Sequence, residues 1–470
     1  MHRKTAAGCC ALLGVALAAG LTATVPGVAK AAGGSTVVMA SPGASRTLPP
    51  GYFGINYDYG GASVYVGDRS VPSQLATLGP GTLRWPAGTG ANYFQWQKGY
   101  PVNSGGTDGG SCAAPKESQV DGFQFTLADL AAAYRRTGAT PIFDLNVMTA
   151  SLANQISMLH AARQRYGLPV KYVELGNEFY LCNTDYVTAF PTAADYGTTV
   201  AADVRALHRA FPGVRVAAVG AVPGKTARIQ GWNAGVLSVA TGPGKPDAIT
   251  LHTHPEFNQS LNTAGLPALF AEPYTSANNV AAATAEFPGT PAWITEYGLS
   301  LHWTKGNAPQ LTYANALFEG EAALLLAQKV GAASLVNYWS SFGPAVNYAY
   351  TSAGLSAAGL TMELIGLAAR GATSEAAISF PGGPTLGATG YPALIGESFR
   401  VAWNHTVLLN LSGQAISVSA RSIIPAGATY RQVTGSPTRQ YASANGLTST
   451  SGMVGRTITL APYSMTLVAG

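Results

Sequence analysis

One feature constrains this chain more than any other: short β-branched or aromatic runs alternate with Ala/Leu-rich stretches over most of its length. The runs are Tyr52–Tyr57, Thr82–Trp85, Pro141–Asn146, Lys171–Leu175, Arg215–Gly220, Ala248–His252, Ala292–Thr295 and Ala333–Trp339. Helical patterns between them cover Leu127–Arg136, Ser151–Tyr166, Ala194–Phe211, Ala277–Phe287 and Thr312–Val330. Thr126-x-x-Asp129 marks one helix start as a capping box, with Asp in place of Glu or Gln. Strands alternating with helices over about 300 residues predict an α/β fold, a (β/α)8 TIM barrel. We place it at residues 50–370. The rival is a doubly wound open sheet. No G-x-G-x-x-G follows the first run, which weakens its dinucleotide-binding form.

After Gly371 the texture changes. Helical runs stop, and Phe399–Trp403, Thr406–Asn410, Ile416–Ala420, Tyr430–Val433, Thr457–Leu460 and Ser464–Val468 read as short strands punctuated by Gly, Pro and Ser. Residues 371–470 therefore read as a C-terminal β-sandwich, to which 35–48 can add a strand.

The N-terminus carries Arg3 and Lys4, an apolar stretch Ala11–Leu21, and the small residues around Ala29-Lys30-Ala31. A charged start, a short apolar core and an A-x-A-like site make residues 1–31 a secretory signal peptide and the product secreted. The stretch is too short and too rich in Ala and Gly for a span of about 20 residues, so no membrane anchor is expected. Residues 1–31 hold Arg3, Lys4 and Lys30 and no acid, so removing them takes the formal charge from +5 to +2. A near-neutral chain gives no reason to expect nucleic acid as a partner. Cys112 and Cys182 remain after Cys9 and Cys10 are removed, and two cysteines in an exported chain favour one disulfide. No Cys/His cluster has zinc spacing, so neither a metal nor an organic cofactor is implied.

Barrel chemistry is carried by residues at the C-terminal ends of strands. The fourth run leads into Glu174-Leu-Gly-Asn-Glu178, and the seventh ends in Trp293-Ile-Thr-Glu296. A carboxyl at the end of an apolar strand is costly to bury unless it is paired or working. Two such carboxyls suit glycoside hydrolysis, in which one gives a proton to the glycosidic oxygen and the other attacks the anomeric carbon. Glu178 is the candidate acid/base and Glu296 the candidate nucleophile. Glu174 and Asp144 also lie within strand runs and read as structural acids.

At these residues the sequence resembles the clan A retaining glycoside hydrolases. In that clan an Asn-Glu ends the fourth strand and a Glu ends the seventh, and the resemblance implies that Asn177 binds the sugar 2-hydroxyl. Within the clan the chain resembles glycoside hydrolase family 79, the β-glucuronidases and heparanases. The stretches that carry this are Leu83-Arg-Trp-Pro-Ala-Gly-Thr89, Glu174–Glu178, Gly306-Asn-Ala-Pro-Gln-Leu311 and Asn347-Tyr348. The resemblance implies cleavage of β-linked glucuronic acid from oligosaccharides or polysaccharides. It further implies a uronate carboxylate held by Tyr348 and the Gly306–Asn307 backbone, since N–H dipoles can receive an anion without a buried cation. The chain departs from the pattern at Asn307 and Val346, where heparanase has Gly. It departs again at His252-Thr-His254, where the clan often has His-x-Tyr with the Tyr touching the nucleophile. Either His254 or Tyr274 then takes that role. Arg84, at the end of the second run, is a candidate for orienting a carboxylate, and Trp339 for stacking on sugar. Two alternatives stay open: an α-L-arabinofuranosidase or β-xylosidase of the same clan, and a non-catalytic carbohydrate-binding protein.

Overall fold

The computed structural model describes residues 37–63, 68–103, 112–113, 118–120, 122–257, 261–300, 309–331, 333–339, 341–343, 348–401, 404–425 and 427–470. Residues 1–31, expected above to be a signal peptide, and the candidates Gly306, Asn307, Val346 and Asn347 lie outside them.

Eight strands form a closed, all-parallel barrel. They are β1 (Phe53–Asn56), β2 (Thr82–Trp85), β3 (Thr140–Asp144), β4 (Tyr172–Glu174), β5 (Arg215–Val219), β6 (Ala248–Thr253), β7 (Ala292–Tyr297) and β8 (Ala333–Tyr338). The register closes through β6–β7, β7–β8 and β8–β1. A helix follows each strand: α1 (Val71–Thr77), α2 (Leu127–Thr137), α3 (Leu152–Tyr166), α4 (Ala193–Ala210), α5 (Ala227–Val239), α6 (Leu266–Ala285), α7 (Tyr313–Lys329) and α8 (Ala357–Ala369). Local chemistry sets the helix starts. Thr126 and Asp129 form the reciprocal capping box at α2, and Thr192 and Asp195 repeat it at α4.

The second layer is an antiparallel sheet. Its order is Ser41–Thr47, β9 (Ser374–Ser379), β10 (Leu394–Arg400), β11 (Asn404–Asn410), β16 (Ser464–Ala469), β13 (Thr429–Thr434) and β14 (Thr448–Met453). The strand before the barrel thus pairs with the first strand after it, Arg46 opposite Glu375. A two-stranded sheet of β12 (Ile416–Ser419) and β15 (Thr457–Leu460) lies over one face, enclosing Ile378, Leu394, Leu408, Val418, Ile458 and Leu460. The other face meets α7 and α8. A Cβ at Gly320 on α7 would lie 3.4 Å from Leu409 and 3.6 Å from Met465. Arg431 reaches Glu363 on α8 at 2.9 Å, and the Tyr313 hydroxyl donates to the Val433 carbonyl at 3.2 Å. Because barrel and sheet cover α7 from both sides, it is buried all round rather than along one stripe. No helix among the described residues is long and apolar enough to cross a membrane.

Candidate active site

The segment after β4 is built for one backbone path. Gly176 has φ 86°, and a Cβ there would lie 2.3 Å from the Phe179 ring, so only glycine fits. Asn177 follows, gripped through its main chain by one buried amide: the Asn92 Nδ2 donates to the Asn177 carbonyl at 2.7 Å, and the Asn177 N–H donates to the Asn92 Oδ1 at 2.9 Å. Glu178 sits at φ 53°, a left-handed conformation that costs a residue with a Cβ free energy and here aims the carboxyl across the barrel mouth. The disulfide Cys112–Cys182 ties the next loop to the one after β2. The Cys112 carbonyl also accepts from the Thr184 N–H at 2.8 Å.

Glu296 is the last residue but one of β7 and is buried, 2% exposed. Its two oxygens have different partners. Arg84 Nη1 reaches Oε1 at 2.6 Å, and His254 Nε2 reaches Oε2 at 3.2 Å. Glu178, His252 and Glu296 bring one oxygen or nitrogen each to within 4.8 Å of one another. Such a cluster could also approach a cation, but its oxygens already accept hydrogen bonds from Arg84, Tyr180 and the two histidines.

Arg84 is fully buried beneath this pair, so the structure places it under the site and not on its sugar-facing side. Besides Glu296 it meets Glu174 Oε2 at 2.6 Å, Asn177 Oδ1 at 2.8 Å and Asn56 Oδ1 at 3.1 Å. Asp144 forms an ion pair with Arg84 Nη2 at 2.8 Å, although the alignment is too poor for a hydrogen bond. Burial works against the guanidinium charge, but Glu174, Asp144 and Glu296 together keep it protonated. Burial pushes Asp144 well above the usual carboxylate range, against the pull of Arg84 and helped by Glu174 and Glu296. Arg84 also fixes the Asn177 amide. The oxygen must face the guanidinium, which leaves the NH2 for another acceptor.

Glu178 is held differently. Burial alone would raise its pKa. The hydrogen bond and charge of His252, the charge of His254 and the Tyr180 hydroxyl outweigh burial and hold it down to about 2. His252 Nδ1 lies 3.0 Å from Glu178 Oε1, and the Tyr180 hydroxyl donates to the same oxygen at 2.9 Å. The other imidazole nitrogen, Nε2, lies 3.0 Å from Thr295 Oγ1, which donates to Glu174 Oε1 at 3.1 Å. Having spent its proton on Glu174, the Thr295 hydroxyl can only accept from His252.

Trp339, just after β8, packs edge-on to His254 with ring centroids 5.3 Å apart. Its Nε1 has no hydrogen-bond partner among the described residues. Tyr348 is half-buried over Gly343, where a Cβ would lie 2.4 Å from its ring. Its hydroxyl is pushed up to about 12 by burial and by the charge of Asp58, just beyond β1. Tyr274 lies apart from the pair. It stacks on Tyr391 at 4.2 Å and donates to the Pro392 carbonyl, so His254, just after β6, is the side chain within hydrogen-bond distance of Glu296 Oε2, while His252 Nδ1 lies 3.6 Å from that oxygen. The structure thus brings Glu178, Glu296, Asn177, Arg84, His252, His254 and Trp339 to one end of the barrel. Sequence reasoning missed Asn56, Asn92, Tyr180 and Thr295. Only Thr295 and Tyr180 carry a local signal, as neighbours of Glu296 and Glu178.

A closed (β/α)8 barrel followed by an antiparallel sheet domain is a fold this chain shares with solved glycosidases. The α-L-arabinofuranosidase of Thermotoga maritima, solved with arabinose, superposes with a TM-score of 0.67 at 16% identity, over 92% of this chain and 99% of that one. AbfB, a family 51 α-L-arabinofuranosidase from Bifidobacterium longum, gives 0.70 at 17% identity over 92% and 99%. A 4-O-α-L-rhamnosyl-β-D-glucuronidase from Fusarium oxysporum 12S gives 0.62 at 16% identity over 93% and 100%. At these identities the likeness establishes a shared fold. No family model matches the chain, and no curated protein does.

Proposed function

We propose that this chain is a retaining glycoside hydrolase that works by double displacement. The observation that carries this reading is the closeness of Glu178 and Glu296, whose nearest oxygens lie within 4.8 Å, in unlike surroundings. Retaining pairs stand about 5–5.5 Å apart and inverting pairs about 6.5–9.5 Å, so this spacing leaves no room for a water between carboxylate and sugar. Glu296, paired with Arg84, attacks the anomeric carbon while the bond to the leaving oxygen breaks. The proton held between His252 and Glu178 passes through the Glu178 carboxyl to that oxygen. Glu178, now ionised, takes a proton from water as the water attacks the same carbon and frees Glu296. The NH2 of Asn177 faces the sugar 2-hydroxyl, where a hydrogen bond strengthens in the transition state. In this reading residues 50–370 are the catalytic domain, and residues 1–31 direct secretion.

For the sugar at the cleavage point we propose a β-linked glucuronic acid, bound through the Tyr348 hydroxyl. The motifs around Gly306 and Tyr348 support this. A second reading, an α-L-arabinofuranosidase or β-xylosidase, has its own support. The Asp58 charge felt by Tyr348 would repel a uronate, and arabinofuranosidases are prominent among the fold's neighbours. Hydrolysis of nitrophenyl β-glucuronide, β-xyloside and α-L-arabinofuranoside under one set of conditions separates them. The uronide reading requires the glucuronide to be cleaved fastest, and a faster arabinofuranoside or xyloside replaces it with the second reading.

A further inference from the structure

We propose that His254 is a positioning residue that holds Glu296 as an imidazolium, a fixed charge distinct from the transferable proton on Glu178. This rests on the double-displacement reading above.

Each partner of His254 can only accept a hydrogen bond. His254 Nδ1 lies 3.2 Å from the Gly298 carbonyl oxygen, and Nε2 lies 3.2 Å from Glu296 Oε2. A carbonyl only accepts, so Nδ1 carries a hydrogen. An ionised carboxylate also only accepts, so Nε2 carries one as well. A neutral His254 would require Glu296 to be protonated. Arg84 donates to the other oxygen of Glu296 at 2.6 Å, a charge-assisted contact that is made best with a carboxylate. The imidazolium is therefore the state that satisfies every contact.

His252 is not equivalent. Its Nε2 hydrogen is fixed by Thr295, so a single proton occupies the contact between Nδ1 and Glu178 Oε1. That proton can move to a leaving group. The one on His254 faces the nucleophile and has no leaving oxygen to go to.

Among the described residues, the groups facing His254 are Glu296 from β7, Glu178 after β4, His252 on β6 itself and the uncharged Trp339 after β8. Burial disfavours the charge. The hydrogen bond and charge of Glu296, the charge of Glu178 and the Gly298 carbonyl outweigh it and raise the pKa of His254. The clamp is therefore present at low pH and is lost as pH rises through that raised value. A tyrosine at this position would give a neutral donor that does not titrate below about pH 10.

The test uses the 2,4-dinitrophenyl glycoside of whichever sugar the wild type cleaves best, because this leaving group departs without a proton from Glu178. The pH dependence of kcat/KM should keep an alkaline limb in the wild type and lose it in His254→Tyr. His254→Ala should be about 10- to 100-fold slower at pH 6, the scale of one hydrogen bond to a charge. A limb unchanged in His254→Tyr overturns the proposal. Nitrogen-15 NMR of the imidazoles gives a readout independent of activity. Both His254 nitrogens should be protonated at pH 6, and the charge should be lost in Glu296→Gln. A neutral tautomer at pH 6 in the wild type overturns the proposal. A chain that hydrolyses no glycoside would instead sink the functional reading, and the NMR result would still decide the state of His254.

Discussion

Arg84 Nη1 lies 2.6 Å from Glu296 Oε1, and the same guanidinium also pairs with Glu174 and Asp144. One buried cation thus serves both the barrel interior and the candidate nucleophile. Arg84→Met should leave those carboxyls unpaired and cost about 3–5 kcal/mol of stability, as expected when one partner of a buried ion pair is removed. The loss should shrink in acid, where carboxyls protonate. Urea unfolding at pH 7 and pH 4 checks this, and a variant as stable as the wild type at pH 7 would contradict it.

Glu178→Ala should slow a substrate with a poor leaving group by about 10²–10⁴-fold, the scale of general acid catalysis. It should slow dinitrophenyl glycosides less in the first step. Azide should restore turnover by attacking the glycosyl-enzyme without a base, giving a glycosyl azide of retained configuration. Absence of azide rescue would argue against Glu178 as the acid/base.

Tyr348 bears on sugar choice. Its hydroxyl, pushed up to about 12, remains a donor across any working pH. Tyr348→Phe should cost about 1.5–3 kcal/mol in kcat/KM on a glucuronide, the range for a hydrogen bond to a charged group, and much less on a neutral sugar. Equal losses on both would remove the uronate role.

Glu319 on α7 supplies a stability prediction. Burial pushes it up to about 8, against the opposing Leu299 N–H, and its Oε2 has no partner among the described residues. The folded protein therefore holds a proton there that the unfolded chain releases near pH 4.5. Between those values the unfolded state binds fewer protons, so this group lowers stability by about 1.4 kcal/mol per pH unit as pH rises. Glu319→Gln should remove that slope and gain most over the wild type near pH 8. Parallel stability curves for variant and wild type would contradict the assignment.

Much of this was legible in the sequence, because period and placement are local. Alternating runs located all eight barrel strands, and strand-end position singled out Glu178 and Glu296. Where a residue's meaning depends on a distant partner, the sequence is silent. Asn92 matters only because the chain returns 85 residues later to present the Asn177 main chain. Arg84 read as a candidate for orienting a carboxylate, but nothing local shows that Glu296, 212 residues away, is that carboxylate. Helix α6 was half-read. Pro273 lies inside it, and the expected helix began only at Ala277, whereas tertiary burial of Leu266, Leu269 and Phe270 carries the helix back to Leu266. Helices α1, α5 and α8 gave no helical signal strong enough to read. In α8 nearly every position is apolar and buried, so no stripe marks the period.

The most direct test of the account is the anomeric configuration of the first-formed sugar, followed by proton NMR in the first minutes of hydrolysis before mutarotation. Double displacement on Glu296, with Glu178 no more than 4.8 Å away, predicts retention. Inversion would contradict it, because it would require a water between sugar and carboxylate where this site places the carboxylate itself.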